Sequence, residues 1–399
     1  MSFSLDRPET LMFMGGITAL AAISVEIVVP ATGIVARYFD LPEARGASLV
    51  GVYFLSYGTG QIFWGLYSDA FGRRIALLLS LAGFALASLA CALAPSFEWL
   101  LIGRCAQGAM AGAPVTARAM VRDATSGAES ARIMTLLGAI LTVTTLFAPV
   151  LGSGFLILFS WRVIFLALML LALVFLIYSY VALTPTNERC RRERFSLRFL
   201  RQATQYLPGN QQFLVPTLIG GFIFGGYASL GAVGAITAEE QYCISPGSFG
   251  ALFTIAVLAN VSGSLFASRL LRRINLRAVG TLSMAILAVL TIIHVVIAQA
   301  QPSLQLFWVT ICIYVFVFGM TLPTTMAASL EPAGEMPAFA ASVFGACIMG
   351  MAFLGAVTAS RLYDGDHQAI SLTMAPFGAA AVMVAVAGRV LGRPASPYP

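Results

Sequence analysis

Glu26 is a carboxylic acid in the middle of an apolar run, Leu11–Ala36. The chain has 17 acids, and Glu26 alone lies well inside such a run. Arg104 is the basic counterpart, about seven residues into the run Phe97–Met120. Gln107 follows at i+3 and shares its helical face. A buried carboxyl stands between two opposed influences. An apolar medium penalises its charged form, and a nearby cation rewards it. A group balanced in that way can load and release a proton, which is the chemistry of proton coupling. The competing reading of Glu26 is a structural acid held by hydrogen bonds. For Arg104 the alternatives are a partner at depth and snorkelling to the near headgroups.

The elements that hold these two residues follow from composition. Of 399 residues 59% are hydrophobic and 10% charged, against about 25% charged in a soluble domain. The solvent for so much apolar surface must itself be apolar. Twelve runs are each long enough to span a bilayer, which takes roughly 20 residues. They are Leu11–Ala36, Ala47–Tyr67, Ile75–Ala94, Phe97–Met120, Ile133–Leu156, Val163–Leu183, Gln212–Thr237, Gly247–Leu270, Ala278–Ala300, Ser303–Ser329, Pro337–Leu362 and Ile370–Val390. None alternates with period two, so a β-barrel is disfavoured. The predicted class is an all-α integral membrane protein with two six-helix halves, 1–183 and 212–399, joined by a polar linker 184–211.

All 23 basic residues are arginine. They gather at the chain ends and after the even runs: Arg7, then Arg73 and Arg74, then Arg118, Arg122 and Arg132, then six arginines from Arg189 to Arg201, then Arg269, Arg272, Arg273 and Arg277, and finally Arg389 and Arg393; the loop after the tenth run is the exception, with Glu331 and Glu335 and no arginine. The odd loops hold only Arg37, Arg45, Arg162 and Arg361. The asymmetry predicts both termini in the cytoplasm. Clusters between apolar runs make the +6 charge a topology signal, not a nucleic-acid stripe. The six cysteines show no metal spacing, and no Walker or nucleophile–base motif is present. An enzyme, a metal site and a cofactor are therefore not expected. Nor does the first run end in a cleavage site.

The depths of the two charged residues invite a pairing. Glu26 lies ~22 Å along a helix entering from the cytoplasm, and Arg104 ~10 Å along one entering from outside. In a core of roughly 30 Å both sit in the outer half, so a Glu26–Arg104 interaction is predicted. His294 is expected to be structural near the outer end of the ninth helix, and His367 to be a solvated loop residue.

Five segments carry a resemblance. Gly65-Leu-Tyr-Ser-Asp69-Ala-Phe-Gly72-Arg73-Arg74, between the second and third runs, resembles the signature loop of the major facilitator superfamily, GxLxDRxGRR, with Ala70 in place of the usual basic residue. Arg104-Cys-Ala-Gln107-Gly108 resembles the RxxQG pattern of its proton-coupled exporters. Ala148-Pro149-Val-Leu-Gly152 in the fifth run resembles the antiporter motif, with Ala148 and Ser153 where glycine is frequent. Glu26-Ile-Val-Val-Pro30-Ala and Arg118-Ala-Met-Val-Arg122-Asp123 resemble segments of the Bcr/CflA drug:proton antiporters, with Glu26 where aspartate is usual. From Gly263 to Arg273 runs a faint echo of the signature loop without its acid.

The resemblance implies a monomeric proton-coupled exporter of drugs or other amphipathic or cationic compounds, in a bacterial inner membrane, working by alternating access. Glu26 and Arg104 would couple protons. Gly65, Asp69, Gly72, Arg73, Arg74, Arg118, Arg122, Asp123, Pro149 and Gly152 would serve gating. The cavity helices of that fold would place Tyr53, Tyr57, Gln61, Gln107, Met110, Phe222, Tyr227, Asn260, Tyr314 and Phe318 near substrate. Core packing or lipid contact is the competing role for each of these. Export of a metabolite such as a sugar, amino-acid derivative or siderophore is the alternative within transport. A non-transporting receptor is the alternative outside it.

Overall fold

The computed structural model describes residues 8–125, 127–183, 210–331 and 337–391. The linker arginines 189–201, Cys190, Glu335, Arg7 and Arg393 lie outside these. The described residues form twelve spans and no strand. Ten spans pass as membrane helices on length and hydropathy alone. The second, Ser48–Phe71, misses on hydropathy because serine, tyrosine, glycine and glutamine interrupt it. The fourth misses because it is broken in two.

Both breaks have a local cause. Proline has no N–H and cannot continue the i→i−4 ladder. In the first span Pro30 would have donated to the carbonyl of Glu26. The helix Pro8–Glu26 stops there, a 3₁₀ turn Val29–Ala31 follows, and the helix resumes over Thr32–Tyr38. The Thr32 hydroxyl bonds the Val29 carbonyl at 3.0 Å. In the fourth span Pro114 opens the helix Ala113–Ala124 after Phe97–Ala109 ends. The Trp64 indole N–H occupies the Ala109 carbonyl at the end of that first segment, 2.8 Å away.

Helix packing repeats with a shift of six spans. The first span packs on the fifth and the seventh on the eleventh; the second on the fourth and the eighth on the tenth; the third on the sixth and the ninth on the twelfth. The halves meet along two matching seams, second on eleventh and fifth on eighth. Glycines permit the close approach. A Cβ on Gly152 of the fifth span would collide with the Ile27 carbonyl at the break in the first. One apolar core runs through both halves.

Candidate functional site

Glu26 ends the first helix half-buried, and its Oε1 accepts a hydrogen bond from the Tyr227 hydroxyl at 3.3 Å. Tyr227 belongs to the seventh span, Gln211–Glu240, so this bond crosses from one half to the other. Tyr227 in turn stacks on Phe318 at 5.0 Å and on Phe224 at 5.8 Å. Phe224 also stacks on Phe318 at 5.2 Å and meets Phe54 of the second span edge-on at 5.7 Å. A carboxylate and four aromatic rings from both halves therefore share one region. A cation with an apolar body fits such a wall.

The expected Glu26–Arg104 pair does not form. Arg104 is fully buried and donates to the Leu49 carbonyl at 3.1 Å, to the Ser24 carbonyl and hydroxyl at 3.2 Å each, and to Gln107 Oε1 at 2.6 Å. Its guanidinium lies 4.3 Å from the centre of the Tyr53 ring. Nη2 has no hydrogen-bond partner among the described residues. Helix rotation explains the difference. At about 100° per residue, Ser24 and Glu26 point roughly 200° apart. Ser24 faces the fourth span, so Glu26 faces the seventh. Arg104 lies level with Ser24, two residues before Glu26, but on a different side of the first helix.

The other predicted residues divide by position. Gln107 is buried and links Arg104 to the Ser88 hydroxyl, 2.7 Å away. Tyr53 is buried beneath Arg104 and donates to the Ala21 carbonyl at 3.2 Å. Tyr57, one turn on, is half-buried and within hydrogen-bonding reach of Arg118. Gln61 packs against Gly345 on the second–eleventh seam. Tyr314 is buried within the second half, bonded to the Ile223 carbonyl at 3.2 Å. Phe222 packs on Phe377 of the twelfth span. Met110 packs against Gly83 of the third, and the Asn260 backbone against Gly319 of the tenth. The structure thus gathers Glu26, Tyr227 and Phe318 and leaves those last three residues elsewhere.

Phe54 and Phe224 were missed. The signal for Phe224 was its i, i+3 relation to Tyr227, which puts both on one face. Phe222, five residues before Tyr227, is turned away from that face.

At the loop after the second span, Asp69 forms an ion pair with Arg73. Arg73 Nε also reaches Asp123 Oδ2 at 2.8 Å. Arg74 donates to the Tyr180 carbonyl at 3.0 Å. Gly72 has φ 101°, which suits glycine. Gly65 approaches Ser342 of the eleventh span. Arg122 is exposed. All these lie at the face that carries most of the loop arginines.

The opposite face holds polar contacts between the halves. Arg37 pairs with Glu43 and, across the halves, with Glu239 at 3.0 Å. The Ser360 hydroxyl donates to the Ala44 carbonyl at 2.7 Å. Ser153, next to the Pro149–Gly152 segment, donates to the Pro246 carbonyl at 2.8 Å and accepts from the Gly250 N–H at 3.1 Å. His367 is buried here, not solvated as expected. Its Nδ1 lies 2.9 Å from Gln241 Nε2, and its Nε2 lies 3.0 Å from the Ile297 carbonyl. His294 is buried against the Tyr314 ring in the ninth span.

Magnitudes rank these closing contacts. An exposed ion pair is worth about 0–1 kcal/mol, so Arg37→Ala should shift the balance of states by less than about fivefold. A Cβ on Gly250 would stand 2.6 Å from the Pro149 carbonyl oxygen, which cannot move aside without its helix. Gly250→Val is therefore expected to force the halves apart at this face. Spin labels at positions 45 and 364, both exposed, would report a longer distance in Gly250→Val and little change in Arg37→Ala. An unchanged distance in Gly250→Val would contradict the packing argument.

Comparison with known proteins agrees with this architecture. Residues 14–356 match the family model for the Major Facilitator Superfamily. An uncharacterized MFS-type transporter, YdgK, of Bacillus subtilis is 28% identical, over 96% of this chain and 94% of its own. Multidrug resistance protein D of Escherichia coli is 26% identical over 86% of each chain. A bicyclomycin resistance protein homolog of Haemophilus influenzae is 22% identical over 89% of each. Among solved structures, a D-xylose–proton symporter superposes with TM-score 0.72 at 14% identity, over 95% of both chains. A bacterial homolog of the human lysosomal transporter Spinster, inward-facing and occupied, gives 0.73 at 14% identity over 98% of both.

Proposed function

We propose, on the premise that this chain belongs to the major facilitator superfamily, that it exports small organic cations from the cytoplasm in exchange for protons. It is a multi-pass membrane transporter. One observation carries the finer reading. Glu26 sits at a helix break and is bonded across the halves by Tyr227. An ionisable group at membrane depth is a functional group by default. Here its charge state is tied directly to a contact that holds the two halves together.

The sequence of events follows from that contact. As a carboxylate, Glu26 is a strong acceptor for the Tyr227 hydroxyl and a counter-ion for a cation on the aromatic wall. Protonation weakens both interactions at once. A proton and a cationic substrate then compete for one site, and each expels the other as access alternates. Arg104 is a positioning residue here. By holding Ser24 and Leu49 it fixes the rotation of the first helix and so the aim of Glu26. The arginine-rich face is assigned to the cytoplasm. The Arg37–Glu239 and Ser153–Pro246 contacts close the outer face. The names of the drug-resistance relatives support drugs as the substrates, and the cationic charge is inferred from Glu26 and the aromatic wall alone.

A second reading has its own observation. Arg118 is half-buried beside Tyr57 and forms no ion pair among the described residues. It would suit a substrate that also carries an anionic group, such as an amino-acid derivative.

The test is transport by purified protein in liposomes. A substrate found by screening a drug-hypersensitive strain should drive proton flux when its gradient is imposed. Saturable binding without flux would instead indicate a receptor.

A further inference from the structure

The turn between the eighth and ninth spans holds four exposed arginines, Arg269, Arg272, Arg273 and Arg277. None forms an ion pair among the described residues. The sequence offers them little, since no acid occurs from Gln241 to Leu330. The turn itself is ordered. Asn275 Oδ1 caps the Ala278 N–H at 2.8 Å, and the Ile274 N–H bonds the Leu270 carbonyl at 2.9 Å.

The pseudo-equivalent turn in the first half is different. There Arg73 is compensated by Asp69 and Asp123, and Arg74 bonds the Tyr180 carbonyl. The first-half turn gives both of its arginines partners within the protein. The other leaves its arginines facing the medium, and at this depth the medium is lipid headgroups.

The helices below the turn add a second feature. The eighth and ninth spans each pack on the tenth and scarcely on each other. The tenth span is therefore little covered between them and exposes Leu306, Val309 and Ile313 at i, i+3 and i+7, from which we infer a shallow channel with that span as its floor. Towards the turn, Phe316 packs on Phe266, and Ala267, Val279 and Met320 seal the end. Exposed Leu271, Ile274 and Leu276 alternate with the arginines.

We propose that this turn and channel form a binding site for an anionic phospholipid, with its phosphate on the arginines and its acyl chains along the tenth span. Charge complementarity selects the headgroup, because guanidinium forks match phosphate oxygens. The apolar floor selects a lipid over a soluble anion. The reading is independent of the substrate and of proton coupling.

The experiment uses full-length protein in nanodiscs of phosphatidylethanolamine doped with photoreactive phosphatidylglycerol. Adducts mapped by mass spectrometry should concentrate in peptides covering 263–277 and 304–316. A photoreactive phosphatidylcholine should show no such enrichment. The quadruple variant R269Q/R272Q/R273Q/R277Q should lose well over tenfold of the labelling, because four basic residues near an anionic surface contribute roughly 1 kcal/mol each and every 1.4 kcal/mol is tenfold. The quadruple lysine variant should retain most of it. Even labelling around the bundle, equal labelling by phosphatidylcholine, or full displacement by millimolar inorganic phosphate would overturn the proposal. So would labelling blocked by a co-purifying acidic protein or nucleic acid. If the glutamine variant fails to fold, the wild-type map decides alone.

Discussion

Glu26→Gln should abolish uphill, proton-driven transport while leaving the protein folded. Glutamine keeps the size of the side chain and an oxygen that still accepts from Tyr227. What it loses is the ability to titrate. The change in that one hydrogen bond, from charged to neutral acceptor, is about 1 kcal/mol, too little to unfold the bundle. The thermal midpoint should therefore stay within a few degrees of wild type. Concentrative transport under an imposed pH gradient should fall to background. Tyr227→Phe is a useful companion. It removes the cross-half bond but leaves the titrating group, so coupling should survive with an altered balance of states. Full uphill transport by Glu26→Gln would end the coupling role.

Arg104→Ala should fail in a different way. The guanidinium holds carbonyls on two other helices and the Gln107 side chain, and the residues that supply these acceptors are all buried. Truncation leaves those acceptors unsatisfied and opens a hole beneath Tyr53 and Phe165. Removing a buried charged partner costs on the order of 3–5 kcal/mol. Low yield and a large drop in thermal midpoint are expected. Arg104→Lys keeps the charge but not the fork, so it should recover only part of the loss. Should Arg104→Ala fold normally and lose only proton coupling, Arg104 would be a coupling group and not a scaffold.

Much of this was legible in the residues. The run lengths located all twelve spans, because burial in lipid leaves a chain few alternatives to helices. Glu26 stood out by depth alone. The spacing Glu26 to Pro30 held more than a motif. A proline four residues after an acid removes the donor to that acid's own carbonyl, so the helix breaks at the functional group. Pro114 does the equivalent in the fourth span, and that break was not foreseen.

Azimuth was the information the sequence withheld. Rotation of a helix about its axis is set by its neighbours, not by its own pattern when it is apolar all round. Hence Arg104 was matched to the wrong face of the first helix. Hence also Phe224, not Phe222, stacks on Tyr227, and the Tyr53 ring lies beneath Arg104. His367 failed for a related reason. Its loop folds back so that Gln241 and the Ile297 carbonyl receive its ring, and those partners lie far away in the sequence.

The claim that a proton and a cationic substrate compete at Glu26 has one direct test. Purified protein in weakly buffered detergent solution is mixed with a transported cation, and proton release is followed with a pH indicator. By linkage, binding that requires the carboxylate must expel its proton. The expected result is proton release from wild type that approaches one per substrate bound where free Glu26 is mostly protonated and falls away as pH rises, and none from Glu26→Gln. Equal release from both proteins, or binding by wild type with no release at any pH, would contradict the account.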